Sequence, residues 1–236
     1  MSKFTMKTSV CIHDVDYNGI AKTSAIMKYM QSAAQMQLTE NGMSYDDLRQ
    51  RGVAFILSRF KMEVLRPLTA YTPLEAVSYP VESRGFTFLR CYELKLGEET
   101  VARAVSAWAL VNTDSRSLVK VNDFDLGLPV LQPLDLALPR IIMPSEIADV
   151  GGYGVHYGDV DQNMHMNNTK YPNMYSNFLP LKDKMISKLS ISYLNEAKMG
   201  EKLRVLRAQK DNIFYFRTVR GDSKTNSEAE IELSDI

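Results

Sequence analysis

A short motif in this chain occurs twice. Asp14-Val15-Asp16-Tyr17-Asn18-Gly19-Ile20 returns 145 residues later as Asp159-Val160-Asp161-Gln162-Asn163-Met164-His165. Both stretches lead into helix-like, aromatic- and Met-rich segments, Thr23–Met30 and Asn168–Tyr175. Farther on, Phe86-Thr87-Phe88-Leu89-Arg90 pairs with Ile213-Phe214-Tyr215-Phe216-Arg217 at an offset of 127. Two matches in the same order point to a duplicated unit. A length of 236 residues allows one large domain or two small ones, and the repeat selects two.

Each unit reads as a short strand, an Asp-rich turn, a helix and then several strands. The first strands are Phe4–His13 and Gly154–Tyr157. Thr23 or Ser24 is the expected cap of the first helix, and Asn168 or Thr169 of the second. Ile26, Met27, Tyr29, Met30, Ala33, Ala34, Met36 and Leu38 fall on nearly all faces of the first helix, which predicts burial on most sides. Strands are expected over 54–64, 74–82, 86–96 and 100–113, then over 187–194, 202–208, 213–220 and 227–233. Gly97-Glu98, Asp211-Asn212 and Gly221-Asp222 supply hairpin turns. Hairpin-linked strands make antiparallel sheets, each expected to wrap a helix. Between the units, Pro129, Pro133, Pro139 and Pro144 make 122–145 an extended linker laid across the surface.

Composition narrows the function. Hydrophobic residues are 45% and charged residues 24%, ordinary for a globular chain. Lys plus Arg and Asp plus Glu are both 28, so there is no overall basic excess of the kind that marks a nucleic-acid binder. Cys11 and Cys91 are too few for a disulfide framework and are expected to be reduced. With no apolar leader segment and no run of 18 apolar residues, the expected compartment is the cytoplasm, without a membrane span. Charge is uneven between Leu181 and Arg220. Ten basic residues (Lys182, Lys184, Lys188, Lys198, Lys202, Arg204, Arg207, Lys210, Arg217, Arg220) face four acids there, a local +6. That stretch reads equally as a docking patch for an acidic partner or as a solvated sheet face.

The second motif carries chemistry that the first lacks. Asp159, Asp161, Asn163, His165, Asn167 and Asn168 lie within ten residues, just before a helix. Such polar groups beside a buried helix are costly without a task. An Asp, an Asn and a His next to free helix N–H groups make a hydrolytic constellation. The first motif keeps Asp14, Asp16 and Asn18 but has Ile20 in place of His165. A helix-capping network is the bland alternative. A metal site formed by His156, Asp159, Asp161 and His165 is a more remote one. Arg90 and Arg217 read as equivalent sheet-surface charges rather than ligands, and Met27, Met30, Met36, Met43, Tyr29 and Tyr45 read as core, where flexible Met side chains also suit a tunnel along the helix.

Asp161-x-Asn163-x-His165-x-Asn167-Asn168-x-x-Tyr171 resembles the signature of the acyl-acyl carrier protein (acyl-ACP) thioesterases. Ala102 to Asn112 with Arg116, Leu118 and Lys120 resembles that family's strand in the first unit. The resemblance implies an α+β tandem double hotdog: two antiparallel sheets, each wrapped round a long central helix. It implies an acyl-recognition domain over 1–121 and a catalytic domain over 146–236. Its catalytic residues fall on Asp161, Asn163, His165 and Glu196, the last in Tyr193-Leu194-Asn195-Glu196. Ala197 follows where relatives often carry Cys, which excludes a cysteine nucleophile at that position. Acyl-chain and site contacts are expected from Met27, Met30, Phe55, Trp108, Asn167 and Asn168. The implied reaction is hydrolysis of fatty acyl-ACP to free fatty acid, with acidic acyl carrier protein as partner, no cofactor or metal, and a homodimer possible. An acyl-CoA thioesterase and a non-catalytic acyl-binding module are the alternatives.

Overall fold

The computed structural model describes residues 3–236. The first half contains β1 (Phe4–Ser9), α1 (Thr23–Glu40), α2 (Tyr45–Gln50), β2 (Val53–Val64), β3 (Pro73–Arg84), β4 (Thr87–Leu96), β5 (Glu99–Asn112) and the short β6 (Leu118–Val119). The second contains β7 (Ala148–Gly154), α3 (Tyr171–Ser176), β8 (Lys184–Tyr193), β9 (Lys202–Lys210), β10 (Ile213–Val219) and β11 (Thr225–Asp235). The expected strands of both halves lie within three residues of those observed, apart from the first of each. β1 stops at Ser9, and β7 lies six residues ahead of its expected start. Turn chemistry sets the hairpins. Leu96 pairs with Glu99 around Gly97 (φ +61), and Lys210 with Ile213 around Asp211 (φ +56). Gly reaches that left-handed region freely, and Asp tolerates it.

The expectation of two separate sheets is corrected. All pairings are antiparallel within one 11-stranded sheet, ordered β1-β3-β4-β5-β2-β8-β11-β10-β9-β7, with β6 added beside β5. β2 joins β8 from Arg59↔Ser192 to Glu63↔Lys188. Phe60, Met62, Leu189 and Ile191 on this seam are at most 1% exposed. Each such buried side chain contributes about 1.5–3 kcal/mol. One hydrophobic core spans both halves, because two edges that would otherwise expose unpaired backbone satisfy each other.

The expectation of a long helix in each half is also corrected. α1 has 18 residues, whereas α3 has six, preceded by a single 3-10 turn at Asn168–Lys170. Pro172 sits in the first turn of α3, and Pro180 lies just beyond it, so the segment has little room to extend. The capping expectations shift as well. Lys22, whose side chain makes no capping bond, precedes α1, whereas Asn167 Oδ1 accepts from Thr169 N at 2.9 Å. α1 is not buried all round. Ala25, Met27, Met30, Ala33 and Gln37 are buried, while Lys28, Ser32, Gln35 and Met36 stay open.

The linker runs across the sheet face opposite α1. Leu131 bridges Val81, and Leu136 is buried against Val77, Tyr79, Cys91 and Val105. Arg59 Nη1 donates to Leu138 O at 3.0 Å, anchoring the far end of that stretch. Cys91 is buried and Cys11 exposed, and both are free thiols.

Candidate active site

The two Asp-x-Asn motifs fold into the same loop. Asp16 Oδ1 accepts from Asn18 N at 2.9 Å, and Asp161 Oδ1 from Asn163 N at 2.9 Å. Asp16 N donates to Ile20 O and Asp161 N to His165 O, at 2.8 and 3.0 Å. Each loop then docks on the segment that follows a strand of its own half, β2 or β8: Ala21 N donates to Leu68 O, and Met166 N to Ala197 O. The shared left-handed corner is Gly19 (φ +76) in the first loop and Met164 (φ +63) in the second. A side chain in that conformation costs about 1–2 kcal/mol, so the second loop is held under strain that the first avoids.

Beyond this backbone scaffold the loops differ. In the first, Asn18 Nδ2 is tied to the carbonyls of Leu181 and Lys184 at 2.7 and 3.1 Å, and Ile20 offers no polar group. In the second, His165 Nε2 lies 3.0 Å from Glu196 Oε2. His165 is bridged to Lys198, which brings the loop against the strand exit that carries Glu196. Asp161 Oδ2 has no hydrogen-bond partner among the described residues. Asp159 is spent on structure: its carboxylate accepts from Tyr153 Oη at 3.0 Å and from His156 N at 2.9 Å. Among the described residues, no group of three or more His, Cys, Asp or Glu side chains is placed to hold a metal ion.

Asp161, Asn163, His165 and Glu196 line one cleft of about 790 Å³, which continues into the first half between α1 and the sheet. Phe55, Leu57, Phe88, Tyr92 and Trp108 form its wall there. Asn167 and Asn168 also line it. Met27 and Met30 do not: both are fully buried in the main core. The matching space, between the first loop at Asp16 and Ile20 and the second half at Asn173, Ser176, Met185 and Ile186, is smaller, about 320 Å³. Tyr175 packs on Phe216 at 4.8 Å, Tyr171 on Tyr193 at 5.1 Å, and Tyr175, Ser227, Thr218 and Asn226 form a buried hydrogen-bonded chain. The cleft therefore takes its reactive groups from one half and its apolar wall from the other.

At the start of the 3-10 turn, Thr169 N and Lys170 N are already bonded to Asn167, through Oδ1 and the carbonyl oxygen. Asn168 N has no partner among the described residues, and neither has Gln162 N between Asp161 and Asn163; both residues line the cleft.

Tyr45, expected in the core, belongs to this site. Its hydroxyl donates to Asn163 Oδ1 at 2.8 Å and accepts from Arg49 Nη1 at 2.8 Å. Tyr45 is 118 residues from Asn163, and no local pattern marks the pairing. Met36 is likewise 44% exposed rather than core. Arg90 and Arg217 are not equivalent. Arg90 is buried facing α1, whereas Arg217 lies on the opposite face, ion-paired with Glu228. The five-residue match had slipped by three positions relative to the ladders, and an odd slip reverses the face.

The basic stretch is also less free than its composition implies. Lys184, Lys188, Arg204, Arg217 and Arg220 pair with Asp235, Glu232, Asp149, Glu228 and Glu201. Lys28, Arg49 and Lys170 line the cleft itself. No helix among the described residues is long and apolar enough to cross a membrane.

Comparison with known proteins agrees with this arrangement. Residues 1–125 match the family described as acyl-ACP thioesterase N-terminal domain, and residues 144–234 the one described as acyl-ACP thioesterase C-terminal domain. The chain is 23% identical over 186 residues to acyl-[acyl-carrier-protein] hydrolase FATB2, chloroplastic, of Cuphea viscosissima, and likewise to palmitoyl-acyl carrier protein thioesterase, chloroplastic, of Cuphea hookeriana. Each alignment covers 71% of this chain and 45% of the relative, so the chain spans about half the length of the curated relatives it matches. Among solved structures, an acyl-ACP thioesterase from Bacteroides thetaiotaomicron superposes with a TM-score of 0.90 at 17% identity, over 98% of this chain and 97% of that one. The 12:0-ACP thioesterase from Umbellularia californica superposes at 0.83 with 19% identity, over 99% and 98%. Both share the fold. With its two halves matched in order, this chain belongs to the acyl-ACP thioesterase family.

Proposed function

We propose that the protein hydrolyses the thioester of fatty acyl-ACP, releasing free fatty acid and ending chain growth. The observation that carries this reading is the single cleft in which Asp161, Asn163, His165 and Glu196 meet a wall of Phe55, Leu57, Phe88, Tyr92 and Trp108. Family membership and the names of the plant relatives support the same reaction. In this reading the two halves are the two units of a tandem double hotdog. The first, 1–121, recognises the acyl chain, the linker is 122–145, and the second, 146–236, is catalytic. The shared loop geometry and the two successive family matches favour that division.

In the proposed mechanism, a water oxygen attacks the thioester carbon. Glu196, steadied by His165, or Asp161 takes the water proton as general base. Charge on the former carbonyl oxygen is met by Asn168 N–H and the Asn163 amide. The carbon–sulfur bond then breaks, and the thiolate recovers the proton, leaving carboxylic acid and carrier thiol. In the other version the Asp161 carboxylate attacks directly, the carbon–sulfur bond breaks as a transient anhydride forms, and water opens the anhydride, its proton passing to the expelled thiolate. Single turnover in ¹⁸O-labelled water tests for the anhydride, since label in an enzyme carboxylate excludes direct attack by water. Lys28, Arg49 and Lys170 at the cleft suit an acidic carrier and its phosphorylated arm.

The test is kcat/KM on matched carrier-protein and CoA thioesters across a chain-length panel. A preference for the carrier-protein thioester is expected. Preference for CoA would reassign the enzyme to acyl-CoA hydrolysis, and binding without turnover would make it an acyl-binding module.

A further inference from the structure

One group on the cleft wall has no task in thioester hydrolysis. Arg90, on β4, is 7% exposed and lines the cleft. Its Nη1 donates to Gln37 Oε1 at 2.5 Å and to Ser78 Oγ at 2.9 Å. Both acceptors are neutral, and no carboxylate faces the guanidinium among the described residues. Burial pulls its pKa down from the usual range, but a guanidinium remains a cation in proteins. Nε and Nη2 have no protein partner among the described residues and are not sealed from solvent, so they open on the cleft. A second donor on the same wall, Gln31 Nε2, is buried with no partner.

A buried cation without a counter-charge is costly and is not needed to line an alkyl channel. The second half shows the apolar alternative. Leu68 and Ala197 accept equivalent loop bonds, and counting from them along the ladders brings Arg90 onto Phe214. The free Nε–Nη2 edge is the side of arginine that grips a carboxylate with two parallel bonds. β4 is two strands across from β2, which borders the second half, about 10 Å at ordinary strand spacing. Arg90 and His165 line the same cleft from opposite halves, so a chain whose carbonyl sits at His165 can reach Arg90 with its tail.

We infer that the cleft takes acyl chains whose far end carries a carboxylate, held side-on by Arg90. This rests on the thioesterase reading and narrows its substrate class to dicarboxylic monothioesters. The test uses the whole protein with two length-matched series of acyl-carrier thioesters, one unsubstituted and one ω-carboxylated. At one length the ω-carboxyl substrate is expected to exceed its unsubstituted counterpart in kcat/KM by about tenfold or more. Arg90→Gln, which keeps hydrogen-bonding capacity but loses the charge, is expected to bring that ratio to one or below. If the wild type hydrolyses unsubstituted chains with no length at which the ω-carboxyl form is preferred, the inference is overturned and the thioesterase reading stands. If it hydrolyses neither series, the reading beneath it falls too. The wild-type ratio decides the matter even if Arg90→Gln fails to fold.

Discussion

Replacing Tyr45 with Phe isolates how the first half steadies the reactive loop of the second. The substitution removes one hydroxyl that donates to Asn163 Oδ1 and accepts from Arg49 Nη1, both at 2.8 Å. Asn163 is exposed, so its amide is then free to rotate into water and leave no buried group unsatisfied. Stability should therefore change by less than about 1 kcal/mol. The cost falls on positioning instead. A hydrogen bond of this kind is worth about 0.5–1.5 kcal/mol, which lowers kcat by about 2- to 13-fold. The assay is steady-state hydrolysis of an acyl-carrier thioester by the wild type, Tyr45→Phe, Asn163→Ala and the double variant. If Tyr45 acts through Asn163, its loss adds little once Asn163 is gone. An undiminished kcat in Tyr45→Phe, or the same further loss in the Asn163→Ala background, refutes the reasoning.

Other consequences follow from particular side chains. Phe216 is fully buried against Tyr175, and Phe216→Ala should cost about 3–5 kcal/mol in urea unfolding, whereas a loss below about 1 kcal/mol would show that this half collapses round the gap. Burial pushes the Tyr171 phenol up to about 12 from an ordinary 10, and Tyr175 and Tyr193 rise as well. The unfolded chain ionises first, so this stability is intact below pH 10 and is lost as pH climbs through about 12. Tyr171 alone contributes about 2–3 kcal/mol, and a flat urea midpoint across that window contradicts the assignment. Lys170→Glu should raise KM for a carrier-protein thioester and leave a small thioester unaffected, as measured by parallel kinetics. Equal effects on both would show that Lys170 contacts the acyl or thioester portion instead.

The features carried by local pattern were readable from the sequence. The repeat of Asp16 and Asn18 as Asp161 and Asn163 reappears as one loop built twice, because its hydrogen bonds lie within five residues. Most strand limits follow from hairpin residues such as Gly97 and Asp211. The features carried by distant pairing were not readable. Joining the two sheets through β2 and β8 depends on edges more than 120 residues apart. Tyr45 shows nothing in its own segment that points to Asn163, and Arg90 resembles any strand arginine until the ladder reveals which way it faces. The second helix is shorter than its sequence suggests, because aromatic richness between Asn168 and Tyr175 reflects packing among tyrosines, not a long helical face.

The most direct test of the central claim is single-turnover hydrolysis of an acyl-carrier thioester by the wild type, Asp161→Ala and His165→Ala, each checked for folding by thermal unfolding. The account predicts folded variants whose rates fall by about a hundredfold or more. Hydrolysis at the wild-type rate by either folded variant would contradict it.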